Sequence, residues 1–200
     1  MDPLRPCVAG DRAALYDVCL LTGDSGSDAS PLYAVPHLLG DVYVGPYVTF
    51  EPGLATVFDD GAGAQGYVLG ALDTRAFEAR CEKSWWPSLR AAHPLGSVAE
   101  GTADARLVAL IHDPPAAPDH VVREHPSHLH VDLLPRWQGG GWGRRLMERL
   151  FAQLAAAGSP GVHLGVGRGN DRAIAFYERL GFTVLDDTSA DALFLGCRLF

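Results

Sequence analysis

Apolar residues recur along this chain with two different spacings, and each spacing predicts one kind of element. Intervals of three and four residues indicate helices with one buried face, whereas alternation or a short apolar run between turn residues indicates a strand. The helical spacing predicts helices over residues 13–21, 74–92, 103–112, 143–157 and 171–180, with a kink or an end at Pro87. The other pattern predicts strands over residues 47–50, 54–58, 66–72, 128–134, 162–166, 182–185 and 192–199.

Strands dominate both ends of this predicted order, and strand and helix alternate through the second half. Such a chain is expected to fold as α/β or α+β around one mixed sheet. The sequence has no internal repeat, and its turn-rich stretches, residues 22–31 and 112–120, are too short to link separate domains. We therefore expect a single domain over residues 1–200.

Composition narrows the class of protein. Hydrophobic residues make up 48% and charged residues 20% of the 200 positions, which excludes a disordered or collagen-like chain. No apolar run approaches the roughly 20 residues of a membrane-spanning helix, and the first residues lack the pattern of a secretory signal. We therefore expect a cytoplasmic protein with no membrane partner. The four cysteines form no CxxC pair, which favours reduced, mostly buried thiols over disulfides or a zinc site.

Charge is distributed unevenly along the chain. The net charge is −8, which argues against nucleic acid as the main partner. Residues 133–185 nevertheless contain seven arginines and three acidic residues, so this segment carries +4 and the remainder −12. A basic segment in an acidic chain indicates an anionic ligand at one place and suggests a cationic ligand at another.

The basic segment contains a glycine-rich loop between a predicted strand and a predicted helix. The sequence LLPRWQGGGWGRRLMERL, residues 133–150, places Gly139, Gly140, Gly141 and Gly143 directly before two arginines of the helix. Glycine permits turns that other residues resist, so successive backbone N–H groups can converge on an anion at the positive end of the helix dipole. The expected ligand is a phosphate or a pyrophosphate.

Two common phosphate-binding motifs do not fit this loop. A P-loop requires GxxxxGK, and the single lysine of the chain is Lys83. A Rossmann fingerprint requires GxGxxG, whereas Gly139, Gly141 and Gly143 are spaced GxGxG. The glycines alone fit a turn that binds no ligand as well as they fit a phosphate-binding loop.

The surroundings of the loop carry a resemblance to a known superfamily. Gln138, Gly141 and Gly143, with Pro135 three residues before Gln138, resemble the acetyl-CoA loop of the Gcn5-related N-acetyltransferase (GNAT) superfamily. A second segment, NDRAIAFYERLGF at residues 170–182, resembles the later helix of the superfamily, which starts at an asparagine and ends in a tyrosine and GlyPhe. Two linked signatures in the same order make the resemblance specific.

The resemblance implies the GNAT fold, a mixed and mostly antiparallel sheet that splays between its fourth and fifth strands and is flanked by helices. It also implies acetyl-CoA as co-substrate, no metal, and a tyrosine, here Tyr177, that protonates the leaving thiolate. The pyrophosphate is expected on the amides of residues 138–144, with Arg144 and Arg145 as added contacts or as solvated helix residues. The cofactor-binding residues carried over are Leu133, Leu134, Gln138, Gly139, Gly140, Gly141, Trp142, Gly143, Arg144, Asn170, Ala173 and Tyr177.

The general base is expected on the strand that precedes the loop. His128, His130 and Asp132 alternate with apolar residues, so a regular strand projects all three from one face. An imidazole or a carboxylate there can take the proton that an acceptor amine loses. The run resembles the paired histidines of arylalkylamine N-acetyltransferase one position out of register, which a β-bulge would restore. Purely structural hydrogen bonding of these residues stays open as the alternative.

The first half of the chain carries a narrower resemblance. Residues 16–30, 38–46 and 66–90 are similar to the C-terminal acetyltransferase-like domain of the eukaryotic O-GlcNAc hydrolase and its free-standing bacterial relatives. One GNAT domain is thus expected, with an acceptor-side half, residues 1–126, and an acetyl-CoA-binding half, residues 127–200. The implied function is acetyl transfer to an amine of a small molecule or peptide in a ternary complex, by a monomer or homodimer. The alternative is a CoA-binding pseudo-acetyltransferase that acts as an interaction module.

Overall fold

One seven-stranded sheet crosses the protein in the computed structural model, which describes residues 2–199. Its strands are β1 (Leu4–Pro6), β2 (Ala55–Asp59), β3 (Ala64–Ala71), β4 (Ser127–Leu133), β5 (Gly161–Gly167), β6 (Thr183–Asp186) and β7 (Ala192–Arg198). They lie in the order β1-β2-β3-β4-β5-β7-β6, and every neighbouring pair is antiparallel except β4 with β5. Strands β1–β3 precede residue 126 and β4–β7 follow it, so both expected halves share the sheet. The predicted mixed, mostly antiparallel sheet of an α/β (α+β) fold is confirmed.

Nine α-helices flank this sheet within the described range. They are α1 (Arg12–Thr22), α2 (Pro36–Tyr43), α3 (Gly45–Phe50), α4 (Thr74–Ser84), α5 (Trp86–Ala92), α6 (Ala103–His112), α7 (Asp119–Glu124), α8 (Trp142–Ala156) and α9 (Asp171–Glu178). None of these nine combines the length and the apolar character that crossing a bilayer requires.

The sheet separates two hydrophobic cores, because successive side chains of a strand point to opposite faces. On one face, Leu15 of α1, Leu38 of α2 and Ile111 of α6 belong to one buried cluster with Tyr67 of β3. On the other face, α8 buries the apolar stripe that its sequence predicted. Its fully buried residues are Leu146, Met147, Leu150 and Leu154.

The parallel pair at the centre of the sheet separates soon after it begins. β4 and β5 are in register at Ser127 with Val162 and at His128 with His163, and they pair no further. Beyond these positions β4 continues along β3, and β5 continues along β7. The predicted splay between the fourth and fifth strands is confirmed. It opens a gap that is bordered by the free backbone edges of both strands.

The strand predicted over residues 47–50 is wrong, since these residues lie in α3. Pro46 occupies the first turn of that helix, where its fixed φ and missing N–H are tolerated. Tyr47 is 5% exposed and packs against Phe77 of α4, with ring centroids 4.5 Å apart. Tertiary packing thus overrides a four-residue apolar run, which by itself cannot distinguish a buried strand from a buried helix.

The helix predicted over residues 74–92 is two helices. α4 ends at Ser84 and α5 begins at Trp86 with Pro87 in its first turn, so the break lies at Trp85, slightly before the predicted position. Sequence patterning also missed β1, α2 and α7. None of these three elements exceeds eight residues, which is too short to express a clear period.

Candidate functional site

The loop between β4 and α8 has the backbone geometry that its glycines predict. Gly139 and Gly141 adopt φ values of +79° and +85°, in a region that residues with a Cβ rarely occupy. Gly143 is constrained by packing instead, because a Cβ there would lie 3.3 Å from the ring of Phe176. α8 starts immediately after Gly141, so the loop runs straight into the helix.

A row of backbone N–H groups in this loop has no hydrogen-bond partner among the described residues. Gln138 N–H donates to the carbonyl of Pro135, and Arg145 N–H donates to the carbonyl of Gly141. Between them, the N–H groups of residues 139–144 find no acceptor within residues 2–199. They lie at the positive end of the α8 dipole, so the loop can bind an anion, and its free amides begin one residue after Gln138.

A cleft of about 640 Å³ opens beside the loop, and it is termed here the glycine-loop cleft. Its walls come from the segment after α1, from β4, from the loop itself, from β5 and from α9. Nine of the twelve predicted cofactor-binding residues line it, namely Leu133, Gln138, Gly139, Gly141, Gly143, Arg144, Asn170, Ala173 and Tyr177. Leu134, Gly140 and Trp142 do not line it. Trp142 packs against Phe58 instead, with ring centroids 4.5 Å apart.

Arginines give the glycine-loop cleft a positive lining. Its charged residues are Arg144, Arg172, Arg179 and Asp132, so the lining carries +2. Arg145 is used elsewhere, with its guanidinium 4.5 Å from the Trp142 ring centre and 3.3 Å from the Asp2 carboxylate. The cleft therefore suits an anionic ligand such as a phosphate.

Asn170 and Tyr177 stand near the two ends of α9, and both line the glycine-loop cleft. Asn170 caps the helix, because its Oδ1 accepts a 3.1 Å hydrogen bond from a backbone N–H of the first turn. Tyr177 is 8% exposed and packs against Phe176 and Phe182. Burial, assisted by the charge of Asp132, raises the pKa of Tyr177 above its usual value and keeps the hydroxyl protonated.

His128, His130 and Asp132 share one face of β4, as predicted. β4 pairs with β3 over residues 128–133 without a register shift, so the bulge that the sequence comparison invoked is absent from this strand. His130 nevertheless packs against Tyr43 of α2 and Tyr47 of α3, at ring-centroid distances of 5.4 and 5.2 Å. The histidines therefore face the helices of the first half without any bulge.

His128 and His163 lie side by side across the β4–β5 pair, with ring centroids 5.8 Å apart. His163 Nδ1 donates to the carbonyl of His125 at 2.6 Å, which leaves Nε2 as an acceptor. The Thr74 hydroxyl lies 2.7 Å from the carbonyl of Pro126 and 2.8 Å from His128 Nδ1, so it can donate to the first and accept from the second. Burial lowers the pKa of both imidazoles, so both are neutral near pH 7.

His130 and Asp132 differ in how far they are engaged by the protein. Neither ring nitrogen of His130 hydrogen-bonds to residues 2–199, and burial lowers the pKa of His130 to about 4. Asp132 Oδ2 accepts a 2.5 Å hydrogen bond from the buried hydroxyl of Tyr67. Burial raises the pKa of Asp132, and the bond from Tyr67 opposes that rise. His130 is thus neutral and has both nitrogens available.

A second cavity, of about 1140 Å³, lies on the histidine side and is termed here the histidine cavity. It is enclosed by α2, α3, α4, the proline-rich segment 114–118, β4, β5 and the β6–β7 connection, and His128, His130 and His163 line it. Several residues line both cavities, namely Tyr43, Leu129, His130 and residues 164–167. The two cavities therefore meet where β4 and β5 diverge, and His130 borders both.

Four residues of this arrangement were not predicted from the sequence. Tyr43 lies in a helix that the pattern did not predict, and Tyr67 is found only through its pairing opposite Asp132. Arg172 lies inside the second resembling segment but was not singled out. His163 is the one polar side chain in the otherwise apolar strand β5, a signal that could have identified it.

Burial keeps the thiols of the cysteines protonated at neutral pH. Cys19, Cys81 and Cys197 are buried free thiols, as expected, and Cys7 is half-buried. Burial raises the pKa of Cys197 to about 11 and that of Cys19 to about 12, so these thiols stay protonated at neutral pH. Within the described chain, no group of three or more His, Cys, Asp or Glu side chains is arranged to hold a metal ion.

Comparison with known proteins gives a family match over the same region. The sequence profile of the acetyltransferase (GNAT) family matches residues 72–182, which is more than half of the chain. The matched part includes β4, the glycine loop, β5 and α9, so it contains most walls of the glycine-loop cleft.

Individual proteins extend the likeness over nearly the whole chain. The crystal structure of SsHAT matches with a TM-score of 0.89 and 39% identity and covers 98% of each chain. Protein O-GlcNAcase of Rattus norvegicus is 27% identical over 180 residues, which is 89% of this chain and 20% of that protein, so the chain spans about a fifth of the relative's length. The structure of yncA from Salmonella typhimurium with its cofactor acetyl-CoA shares the fold, with a TM-score of 0.55, 16% identity and coverage of 98% and 93%. These findings bear out both resemblances drawn from the sequence.

Proposed function

The chain belongs to the acetyltransferase (GNAT) family, and we propose that it transfers the acetyl group of acetyl-CoA to an amine by direct attack in a ternary complex. The observation that carries this proposal is the meeting of two cavities at the β4–β5 gap. One cavity suits an anionic donor, and the other presents neutral imidazoles. His130 borders both, so donor and acceptor can meet beside a proton acceptor.

The glycine-loop cleft fits acetyl-CoA as the donor. The free N–H groups of residues 139–144 and the arginines of the cleft supply hydrogen-bond donors for its pyrophosphate and phosphate. Beyond His128, the facing edges of β4 and β5 have no strand between them, so the amides of a pantetheine arm can pair with the backbone as an added strand would. The acetyl-CoA complex of yncA supports this assignment at the level of the fold.

Tyr177 is the general acid in this scheme. As the acceptor nitrogen bonds to the thioester carbonyl carbon, the carbon–sulfur bond breaks and the sulfur leaves as a thiolate. Tyr177 lines the same cleft, and its raised pKa keeps its proton in place until that negative charge develops. The proton then passes to the sulfur.

His130 is the proton acceptor for the amine. With a pKa of about 4 it is too weak a base to deprotonate a free ammonium ion, so the acceptor must arrive as a neutral amine. Its proton then moves to His130 as the nitrogen–carbon bond forms and the nitrogen becomes acidic. His128 is held by Thr74 and Asp132 by Tyr67, which suits these two residues to supporting roles.

Calorimetric titration with acetyl-CoA tests the donor site. We expect saturable binding to the wild-type protein and none to Gly141→Glu, because the variant places a carboxylate at φ +85° in a cleft that binds anions. Gly158→Glu is the matched control, since Gly158 has φ +87° but lies beyond the far end of α8. No binding to wild type, or equal binding to all three proteins, would overturn the donor assignment.

Release of CoA in the presence of amines tests the transfer itself. The acceptor panel contains primary monoamines, diamines and short basic peptides, and the product is identified by mass spectrometry. Amine-dependent release with an acetylated product supports the proposal. Binding of acetyl-CoA without transfer to any acceptor contradicts it and favours the alternative, a CoA-binding pseudo-acetyltransferase that serves as an interaction module.

A further inference from the structure

The linings of the two cavities carry opposite charges. The glycine-loop cleft carries +2, whereas the charged residues of the histidine cavity are Arg75, Glu78, Glu82, Asp186 and Asp191, a net charge of −3. The acids come from α4, from the last residue of β6 and from the residue before β7, so both halves of the chain supply them. A negative lining attracts a cationic ligand and repels the phosphates of a CoA-type donor.

The α4 side of the histidine cavity is close to neutral once its ion pairs are counted. Arg75 pairs with Glu78 at 2.7 Å and with Asp119 at 2.5 Å. Glu82 accepts two hydrogen bonds from Arg90, at 2.5 and 2.8 Å. The excess negative charge therefore lies mainly on the other side, at the end of β6 and just before β7.

Asp186 and Asp191 supply that excess. Asp186 is 9% exposed, lies 3.1 Å from His120, and accepts hydrogen bonds from Thr188 that lower its pKa and keep it ionised. Asp191 is exposed, and its carboxylate forms no ion pair within residues 2–199. These two carboxylates, termed here the acidic rim, are available to a positively charged group in the histidine cavity.

The inner end of the same cavity is neutral. His163 is 2% exposed, its Nδ1 is held by the carbonyl of His125, and its side chain lines the cavity. His128 and His130 complete a surface that accepts hydrogen bonds but carries no charge near pH 7. An attacking amine must itself be neutral, so this end suits the reacting nitrogen. The neutral reacting nitrogen is therefore not the partner of the acidic rim.

The sheet register sets the distance between the two ends. Asp186 pairs with Phe194 of β7, and Phe194 pairs with Gly165 of β5. Asp186 therefore lies two strands away from β5, roughly 10 Å at the usual strand spacing. Asp191 directly precedes β7 and lies beside the end of β5, because its carbonyl accepts a 3.1 Å hydrogen bond from the backbone N–H of Arg168. A single amino group cannot occupy both the histidine end and the acidic rim.

We propose that the acceptor is a dication in solution, with two cationic groups separated by roughly 10 Å of apolar chain. One is a primary amine that loses its charge at the histidine end, and the other binds Asp186 and Asp191 at the acidic rim. Aromatic side chains of the cavity lining, including Tyr47, Phe77 and Phe194, supply an apolar wall for the connecting chain. This inference rests on the proposed function, because it takes the histidine cavity as the acceptor side.

Two amines of equal length test the inference. 1,7-Diaminoheptane and n-heptylamine differ only in the terminal ammonium group, and each is assayed with saturating acetyl-CoA. After division by two for its two identical amino groups, we expect kcat/KM of the diamine to be about tenfold higher than that of the monoamine. Asp191→Asn should reduce this ratio to about threefold. Asp17→Asn, which removes an exposed acid of α1 outside both cavities, should leave the ratio at its full value.

Each outcome of this experiment either supports or overturns the dication site. Equal corrected kcat/KM values, or a preference that Asp191→Asn does not reduce, would overturn the dication site and leave the acetyltransferase proposal intact. If neither amine is acetylated, the proposed function fails for these acceptors. The dication site is then tested by calorimetric titration of both amines into CoA-saturated protein. The dication site is supported if the diamine binds several-fold more tightly than the monoamine and Asp191→Asn weakens this binding. Equal binding of the two amines, or no binding of either, would overturn it.

Discussion

The hydroxyl of Tyr67 donates a 2.5 Å hydrogen bond to Oδ2 of Asp132, the residue that faces it across the β3–β4 pair. Tyr67 is fully buried, whereas Asp132 borders the glycine-loop cleft. Burial raises the pKa of Asp132 and the bond opposes that rise, so Tyr67 favours the ionised carboxylate at the edge of the cleft.

We expect Tyr67→Phe to lower the free energy of unfolding by about 1–3 kcal/mol at pH 7, because the variant leaves the Asp132 carboxylate without its donor. The folded-state pKa of Asp132 is raised, so its contribution to stability is present below the unfolded pKa and is lost as pH rises through the folded pKa. Losing the donor raises the folded pKa further, so the deficit should grow from about pH 4 to pH 7. Urea denaturation at both pH values measures it. An equal loss of unfolding free energy at pH 4 and pH 7 would contradict this role of the Tyr67–Asp132 hydrogen bond. So would an equal increase of the loss with pH when Tyr67→Phe is made in an Asp132→Asn background.

His130 affects stability with the opposite sign. Its folded-state pKa of about 4 lies below its ordinary 6.5, so its contribution is present above pH 6.5 and is lost as pH falls toward 4. From pH 7 to pH 5, we expect the wild-type protein to lose about 1–2 kcal/mol more unfolding free energy than His130→Gln. His37→Gln, at an exposed histidine, is the control and should follow the wild type. Identical pH dependence of wild type and His130→Gln would show that His130 is not buried in its neutral form.

Tyr177→Phe should separate catalysis from donor binding. Because the hydroxyl is placed to protonate the leaving thiolate, we expect kcat to fall about 100-fold. The Kd for acetyl-CoA should stay within about twofold, since the phosphate-binding amides and arginines are untouched. Tyr33→Phe, at a half-buried tyrosine outside both cavities, serves as the control. Unchanged turnover of Tyr177→Phe would remove the acid from the scheme.

Arg172 should contribute to donor affinity through its charge. We expect Arg172→Gln to raise the Kd for acetyl-CoA about fivefold at low ionic strength, and less at 0.5 M salt, where exposed charges are screened. Arg123→Gln removes another exposed arginine, in α7 and outside both cavities, and it should leave the Kd unchanged. Equal Kd values for wild type and Arg172→Gln at low salt would place the phosphates elsewhere.

The glycine loop was predictable from sequence because its chemistry is local. The conformation of one short segment sets the positive φ values of Gly139 and Gly141 and leaves the amides of residues 139–144 free. The same holds for Asn170, which caps its own helix. These features follow from neighbours in the chain, so a linear pattern is enough to identify them.

The shared face of His128, His130 and Asp132 was predictable from their alternation, but the partners of these residues were not, because they are distant in the sequence. Tyr67 and Asp132 are 65 positions apart, and only the β3–β4 register brings them together. Asp186 and Glu82 line one cavity although they lie in different halves of the chain, so the division of charge along the sequence did not locate the acidic lining. Tyr47 was assigned to a strand because its helix is shorter than two turns. Pairing and packing at long sequence separation decide all of these contacts.

A single-turnover experiment with a deuterium-labelled acetyl group on CoA tests direct transfer most sharply. The labelled donor is mixed with excess protein and an acceptor panel that includes 1,7-diaminoheptane, and mass spectrometry of the intact protein and the small molecules locates the label. We predict that the label leaves CoA only in the presence of an amine, ends on the acceptor nitrogen and never appears on the protein. Label found on a protein side chain, or label that stays on CoA with every amine, would contradict direct acetyl transfer at the β4–β5 gap.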